Sequence, residues 1–292
     1  MYKGLYTALI TPFENGEIDF DAFARLIEFQ IDSGVNGVVV CGTTGESAIM
    51  TPREYEQTIE TCVKTVAGRV PVIAGTGTND TQKTIANTRV AEKAGADAVL
   101  VVTPYYNKPS QEGLYLHFKA VHDATTLPVV LYNVPGRTGV NITPETVGRL
   151  AELPRVAGIK DATPDLMRPL RLRSAVLKKD FAILSGEDAS VVAFLAHGGD
   201  GCISVTSNVA PALCAGLHRA WAAKDWAEVE RLRDLLLPLH DAMFVESNPC
   251  PVKFAAAQMR FGDGSVRLPL CEISEKSKET VLAAMRQTGI AE

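Results

Sequence analysis

Eight short, almost wholly apolar runs recur along the chain, each separated from the next by a longer segment of helical periodicity. The runs are LYTALIT (5–11), GVVVCG (37–42), VPVIAGTG (70–77), AVLVVTP (98–104), PVVLYNVP (128–135), VAGIK (156–160), FAILSG (181–186) and GCISVT (201–206). Their residues are apolar consecutively rather than alternately, the pattern of strands covered on both faces. Segments between them, such as FDAFARLIEFQIDSG and TIANTRVAEKAGA, space their apolar residues as one face of a helix does. Strand–helix units joined by short links imply a parallel sheet with right-handed crossovers. Eight units are the number that closes into a (β/α)₈ barrel, and 292 residues suffice for one. The alternative is a doubly wound open sheet. It would want a glycine fingerprint after the first strand, and ITPFENGEID is not one.

Helix boundaries are punctuated. Thr51-Pro52-Arg53-Glu54 reads as a capping box with proline at the first helical position. Asn79 with Gln82 offers a weaker version, Thr143-Pro144 another start, and Gly34, Gly95 and Gly148 or its neighbours read as helix ends. Beyond residue 207 the strand pattern stops. Four helical patterns follow: APALCAGLHRAWAAK, DWAEVERLRDLLLPLHDAM, NPCPVKFAAAQM and SEKSKETVLAAMRQTG. The expected organisation is a barrel over 1–224 and a C-terminal helical domain over 225–292.

Composition narrows the function. A formal charge of -5 with no basic run gives no footing for nucleic acid or for an anionic membrane. A small-molecule site is the better expectation. The 6 cysteines (Cys41, Cys62, Cys202, Cys214, Cys250, Cys271) are scattered, with no CxxC. They read as reduced, structural thiols, as suits a cytoplasmic protein. The N-terminal MYKGLYTALITPF has the wrong flanks for a signal peptide, and no segment is apolar for long enough to span a bilayer.

Barrels place their chemistry at the C-terminal ends of the strands. Those ends carry CGTTGES (41–47), TGTND (76–80), TPYYNKPS (103–110), YNVPGRTG (132–139), IKDAT (159–163), SGEDAS (185–190) and SVTSN (204–208). Lys160 ends the sixth run. It is either a snorkelling or salt-bridged lysine, Asp161 being the nearest partner, or a desolvated amine. Burial disfavours the charged form of an amine. A neutral amine attacks carbonyls to give a Schiff base, and the strand-end position favours that reading. Tyr132 closes the neighbouring strand and is either a proton shuttle for such an adduct or a packed tyrosine. Thr43 and Thr44, with the N–H groups of a glycine turn, form either a grip for a carboxylate or a plain strand-to-helix turn. Arg137, in a Pro-Gly-Arg-Thr-Gly loop, suits a second carboxylate.

Absences count too. The five histidines (His117, His122, His197, His218, His240) all fall in helical patterns, so no strand end offers an imidazole. A metal-dependent aldolase is disfavoured, and no metal or cofactor is expected. Glu187 and Asp188, after the seventh run, argue against a phosphorylated substrate, unless they serve only as a helix cap.

Lys160 after Gly-Ile, Tyr132 in LYNVP and the GTTGES turn together resemble the dihydrodipicolinate synthase / N-acetylneuraminate lyase family over nearly the whole chain. Within it, TPYYNKPSQEGLYLHFKA and NVPGRTG are most similar to the dihydrodipicolinate synthase branch. The resemblance implies a lyase of lysine (diaminopimelate) biosynthesis that condenses pyruvate with L-aspartate 4-semialdehyde. By that implication Lys160 forms the Schiff base, and Tyr132, Thr43 and Tyr106 carry protons, Tyr106 from a neighbouring subunit of a homotetramer, a dimer of dimers. Thr44 with Thr43 holds the pyruvate carboxylate, and Arg137 that of the semialdehyde. Gly186 and Ile203 line the site through their backbones.

The resemblance also implies an allosteric L-lysine site, whose pattern Ser47, Ala48, Asn79 and Tyr105 match. Where regulated members place histidines and a glutamate, this chain has Pro52, Tyr55 and Lys83. A lysine facing a cationic ligand repels it, so inhibition by L-lysine is expected to be weak or absent. Two other readings stay open: another pyruvate-dependent aldolase or dehydratase acting on a sugar acid or keto acid, and a non-catalytic binding barrel.

Overall fold

A computed structural model describes residues 2–290. Among these described residues are ten strands: β1 (Gly4–Ala8), β2 (Phe13–Glu14), β3 (Glu17–Ile18), β4 (Gly37–Val40), β5 (Val72–Gly75), β6 (Ala98–Val102), β7 (Val129–Asn133), β8 (Val156–Asp161), β9 (Ala182–Ser185) and β10 (Gly201–Ser204). Eight of them, β1 and β4 to β10, form a closed barrel in sequence order. Closure rules out the open doubly wound sheet. Each barrel strand falls inside one of the eight apolar runs, except that β1 begins at Gly4 and β8 runs on to Asp161. Strands β4 and β7 are buried at every residue, as covering on both faces requires.

By compactness the chain divides into two units, each described by itself. Among the described residues, one runs from Pro71 to Ile203 with residues 2–3; the other joins Gly4–Val70 to residues 204–290.

In the Pro71–Ile203 unit, β5 to β9 pair in parallel with their neighbours. Strand β8 comes so close to β9 that a Cβ at Gly158 would lie 2.7 Å from the carbonyl oxygen of Ala182. Helix Pro144–Ala151 starts as expected, with Thr143 accepting from the N–H of Thr146 and proline at its first position. Helix Thr81–Lys93 is capped by Asp80, which accepts from Lys83 N–H, and not by Asn79. A carboxylate one residue on is the better acceptor for the exposed helical N–H groups. Gly148 is no helix end. It lies inside Pro144–Ala151, where a Cβ would meet the carbonyl oxygen of Ala175 at 2.5 Å.

In the other unit, β1 pairs in parallel with β4. The capping box at Thr51 and Glu54 is formed, Pro52 opening helix Pro52–Val66. The antiparallel pair β2–β3 was not expected. Its turn is Asn15-Gly16, both at positive φ (52° and 83°). Asn-Gly between apolar residues is a strong hairpin signal, but strands of two residues leave no periodicity to notice. The four late helices are Pro211–Ala223, Trp226–Ala242, Cys250–Gln258 and Glu275–Gln287, each within its expected segment. No helix among the described residues is long and apolar enough to cross a membrane.

Candidate active site

Parallel pairing of β7 with β8 sets Tyr132 opposite Lys160 and Asn133 opposite Asp161. Side chains alternate faces along a strand, so the first pair shares one face and the second pair the other. On the first face the Lys160 Nζ lies 4.5 Å from the centre of the Tyr132 ring. Both residues are buried, at 6% and 8% exposure. On the second face the Asp161 carboxylate is filled. Arg168 Nε donates to it at 2.9 Å, Asn133 Nδ2 at 3.0 Å, and Thr163 gives both its N–H and its hydroxyl.

That arrangement takes away the partner that the salt-bridged reading of Lys160 named. Asp161 pairs with Arg168, itself buried, and among the described residues Lys160 forms no ion pair. The printed partner of its amine is the Tyr132 ring. Gly186 shapes the same spot: a Cβ there would stand 2.9 Å from Lys160 Cε and 2.7 Å from Ala162 Cβ. Only glycine lets that backbone lie against the lysine stem. Ile203 is fully buried in β10, one residue past the Cys202–Ser185 pair that joins β10 to β9.

Arg137 and Tyr106 stand in the segments that follow β7 and β6. Arg137 is exposed in the single turn Pro135–Thr138 that follows β7. Tyr106 follows β6, 88% exposed and at φ 71°. Tyr105 beside it is less exposed. Asn79 is half-buried, its carbonyl accepting from Asn107 Nδ2 at 2.9 Å, and Lys83 points to solvent. Glu187 accepts from the N–H groups of Ala189 and Ser190, just ahead of helix Val191–Ala196, whose N-cap Ser190 makes no side-chain cap bond. Asp188 is buried and accepts from Cys202 Sγ at 3.9 Å.

In the other unit, the turn after β4 carries Thr43, exposed, and Thr44, buried. Gly45 N–H donates to Gly42 O and Glu46 N–H to Thr43 O, both at 3.1 Å. Cys41 and Glu46 bracket the turn at φ 54° and 56°. Three contacts hold it that the sequence did not announce. Asn248 Nδ2 donates to Thr44 Oγ1 at 3.1 Å, Lys253 Nζ to Glu46 Oε1 at 2.6 Å, and the N–H of Arg267 to Glu46 Oε2 at 3.3 Å. Asn248 and Lys253 lie 204 and 207 residues from their partners in sequence, and no local pattern links such positions. Lys253 also sits over the Phe13 ring, 3.5 Å from its centre. Burial pushes its amine below the ordinary lysine value, and Glu46 opposes that shift.

Ser47 and Ala48 follow in the short turn Ser47–Ile49, and Pro52 is the first residue of its helix. Tyr55 is buried, its phenol pushed up by desolvation. Four of the five histidines lie within helices, while His197 is the residue that ends Val191–Ala196. Five cysteines are buried; Cys271 is exposed, so its thiol is not part of a core. Among the described residues no three His, Cys, Asp or Glu side chains gather as metal ligands.

The chain is similar to known proteins over its whole length. The model of the dihydrodipicolinate synthetase family matches residues 1–288. A 4-hydroxy-tetrahydrodipicolinate synthase of Rhodospirillum centenum is 54% identical over 290 residues, covering 99% of each chain. The crystal structure of a dihydrodipicolinate synthase from Thermotoga maritima superposes with a TM-score of 0.97 at 45% identity, over 99% of both chains. A monomeric dihydrodipicolinate synthase variant matches equally, with a TM-score of 0.97 and 45% identity, over 99% of this chain and 97% of its own. With its closed eight-stranded barrel, buried unpaired lysine and GTTGE turn, this chain belongs to the dihydrodipicolinate synthetase family.

Proposed function

We propose that the chain condenses pyruvate with L-aspartate 4-semialdehyde to give 4-hydroxy-tetrahydrodipicolinate, in the lysine (diaminopimelate) pathway. The observation that carries this reading is the Lys160 amine, buried against the Tyr132 ring while Asp161 is occupied by Arg168. The amine adds to the pyruvate carbonyl, and loss of water gives the Schiff base. A methyl proton then leaves, forming an enamine. The enamine carbon attacks the aldehyde, and the new alkoxide takes up a proton. The amino group of the former semialdehyde next attacks the imine carbon, which closes the ring and releases Lys160.

Tyr132, Thr43 and Tyr106 move the protons in this scheme, their hydroxyls acting as relay. Thr43 and Thr44 receive the pyruvate carboxylate. The exposed Arg137 takes that of the semialdehyde, for which a planar guanidinium fork is suited. Gly186 and Ile203 present backbone to the substrates. The full exposure of Tyr106 supports its use by a neighbouring subunit, in a homotetramer built as a dimer of dimers. The barrel over 1–224 carries the chemistry, 225–292 being a helical appendage, and the cytoplasm is its setting.

Borohydride reduction with pyruvate, followed by mass spectrometry, is expected to leave a three-carbon adduct on Lys160, and none in Lys160→Ala. An unmodified wild-type Lys160 refutes the mechanism. Coupling the product to its reductase is expected to give turnover with the semialdehyde; turnover only with sugar acids would favour the alternative aldolase. In the same assay, L-lysine is expected not to inhibit in the micromolar range. Pro52, Tyr55 and Lys83 offer a cationic ligand no anion at that site, and inhibition there would contradict the reading.

A further inference from the structure

Asn248 stands just ahead of helix Cys250–Gln258, in a stretch that no motif singled out. It is buried, and its Nδ2 donates to Thr44 Oγ1 at 3.1 Å. A threonine hydroxyl has one proton to donate and lone pairs that accept. With a lone pair engaged by an amide N–H, the Thr44 proton is directed away from Asn248 and is free for an anion. The same stretch also fixes the main chain beneath Thr44. Lys253 closes on Glu46 with both side chains 1% exposed, and Arg267 supplies an N–H to the second carboxylate oxygen. Glu46 holds a left-handed backbone that a non-glycine residue keeps only when its surroundings over-determine it.

We propose that Asn248, together with the Lys253–Glu46 pair, is a positioning element for the carboxylate of the 2-oxo acid: Asn248 makes Thr44 a dedicated donor, and the ion pair sets the turn that carries it. The inference rests on the pyruvate reading above and deepens it, by naming what grades pyruvate affinity. An anion needs donors. A Thr44 that gave its proton to residue 248 would turn a lone pair toward the anion instead.

Asn248→Asp tests this with almost no change of shape. If residue 248 merely fills a hydrogen bond, the new carboxylate accepts from the Thr44 hydroxyl, the bond persists and kinetics hold. If Asn248 sets the donor, aspartate takes the proton and adds a negative charge near the bound anion. The half-saturating pyruvate concentration should then rise about tenfold or more, with a smaller fall in kcat and little change for the semialdehyde. A folded Asn248→Asp enzyme with unchanged pyruvate half-saturation overturns the proposal. The ion pair supplies a second test. Lys253→Met leaves a buried, uncompensated carboxylate and should raise pyruvate half-saturation, whereas Lys253→Met/Glu46→Gln removes both charges and should recover it in part. Should Asn248→Asp not fold, equal loss in the single and double variants overturns the proposal. Trapping keeps the two readings apart: no adduct in the wild type refutes the pyruvate reading. A wild-type adduct whose pyruvate dependence is unaltered in Asn248→Asp refutes only this inference.

Discussion

At the scale of single residues, spacing decides more than identity. Gly186 is the clearest case, since its missing Cβ leaves the room that Lys160 Cε occupies at 2.9 Å from the virtual atom. In Gly186→Ala the new Cβ meets Ala162 Cβ at 2.7 Å, which cannot rotate away, so the flexible lysine stem is the part expected to yield. The substitution should displace the amine by a fraction of an ångström to an ångström, and a misplacement of that order costs roughly 10²-fold in turnover. Steady-state rates beside an unchanged circular dichroism spectrum would check this; wild-type turnover would show that the glycine does not matter. Lys160, Tyr132, Thr43 and Thr44 stand out in the sequence because each is a polar group at or just past the C-terminal end of a buried strand, and such a group needs a reason. Asn248 does not, because an asparagine before a proline looks like any turn. Its meaning lies in Thr44, 204 residues away.

At the scale of elements, the eight barrel strands were legible for a physical reason: burial on both faces leaves runs without polar interruption. Helix starts were legible where the capping side chain and proline stand together, at Thr51 and Thr143. The β2–β3 hairpin was passed over because two-residue strands bury too little to leave a pattern. Gly148 was misread as a helix end, since glycine also serves where another backbone crosses closely. The crossing gives a stability prediction. Alanine is favoured over glycine inside a helix by about 1 kcal/mol. A Cβ 2.5 Å from the Ala175 carbonyl oxygen meets a backbone atom that does not rotate away, and overpacking of that kind costs about 1–3 kcal/mol. The second effect wins, so Gly148→Ala should lower the midpoint of urea unfolding; a raised midpoint would show the helix free to shift.

At the scale of the molecule, stability should depend on pH in a window set by a buried base. His117 is buried, its Nδ1 against Thr81 Oγ1 at 2.9 Å and its Nε2 without a partner. Desolvation holds its imidazole at about 4 in place of the ordinary 6.5, with Asp80 opposing. Between those values the unfolded chain binds the proton more readily. Stability is therefore complete above the unfolded value and lost as pH falls toward the folded one, by about 3 kcal/mol over the window. Glu54, held at about 2 chiefly by its hydrogen bond from Arg267, adds a loss of the same sign at still lower pH. Urea midpoints at pH 7 and pH 5 should differ in the wild type and converge in His117→Gln; equal wild-type midpoints would remove the histidine from the account. One feature of the barrel constrains how such a protein can change. Tyr132 faces Lys160 and Asn133 faces Asp161 only because neighbouring strands share a parity. Deleting or inserting a single residue at the end of β7 would bring Asn133 to the face of Lys160, and at the end of β8 would bring Asp161 to the face of Tyr132. Strand β8 already absorbs one extra residue opposite Val129 and Val130, and past that irregularity an even number of added residues alone would keep each side chain on its face.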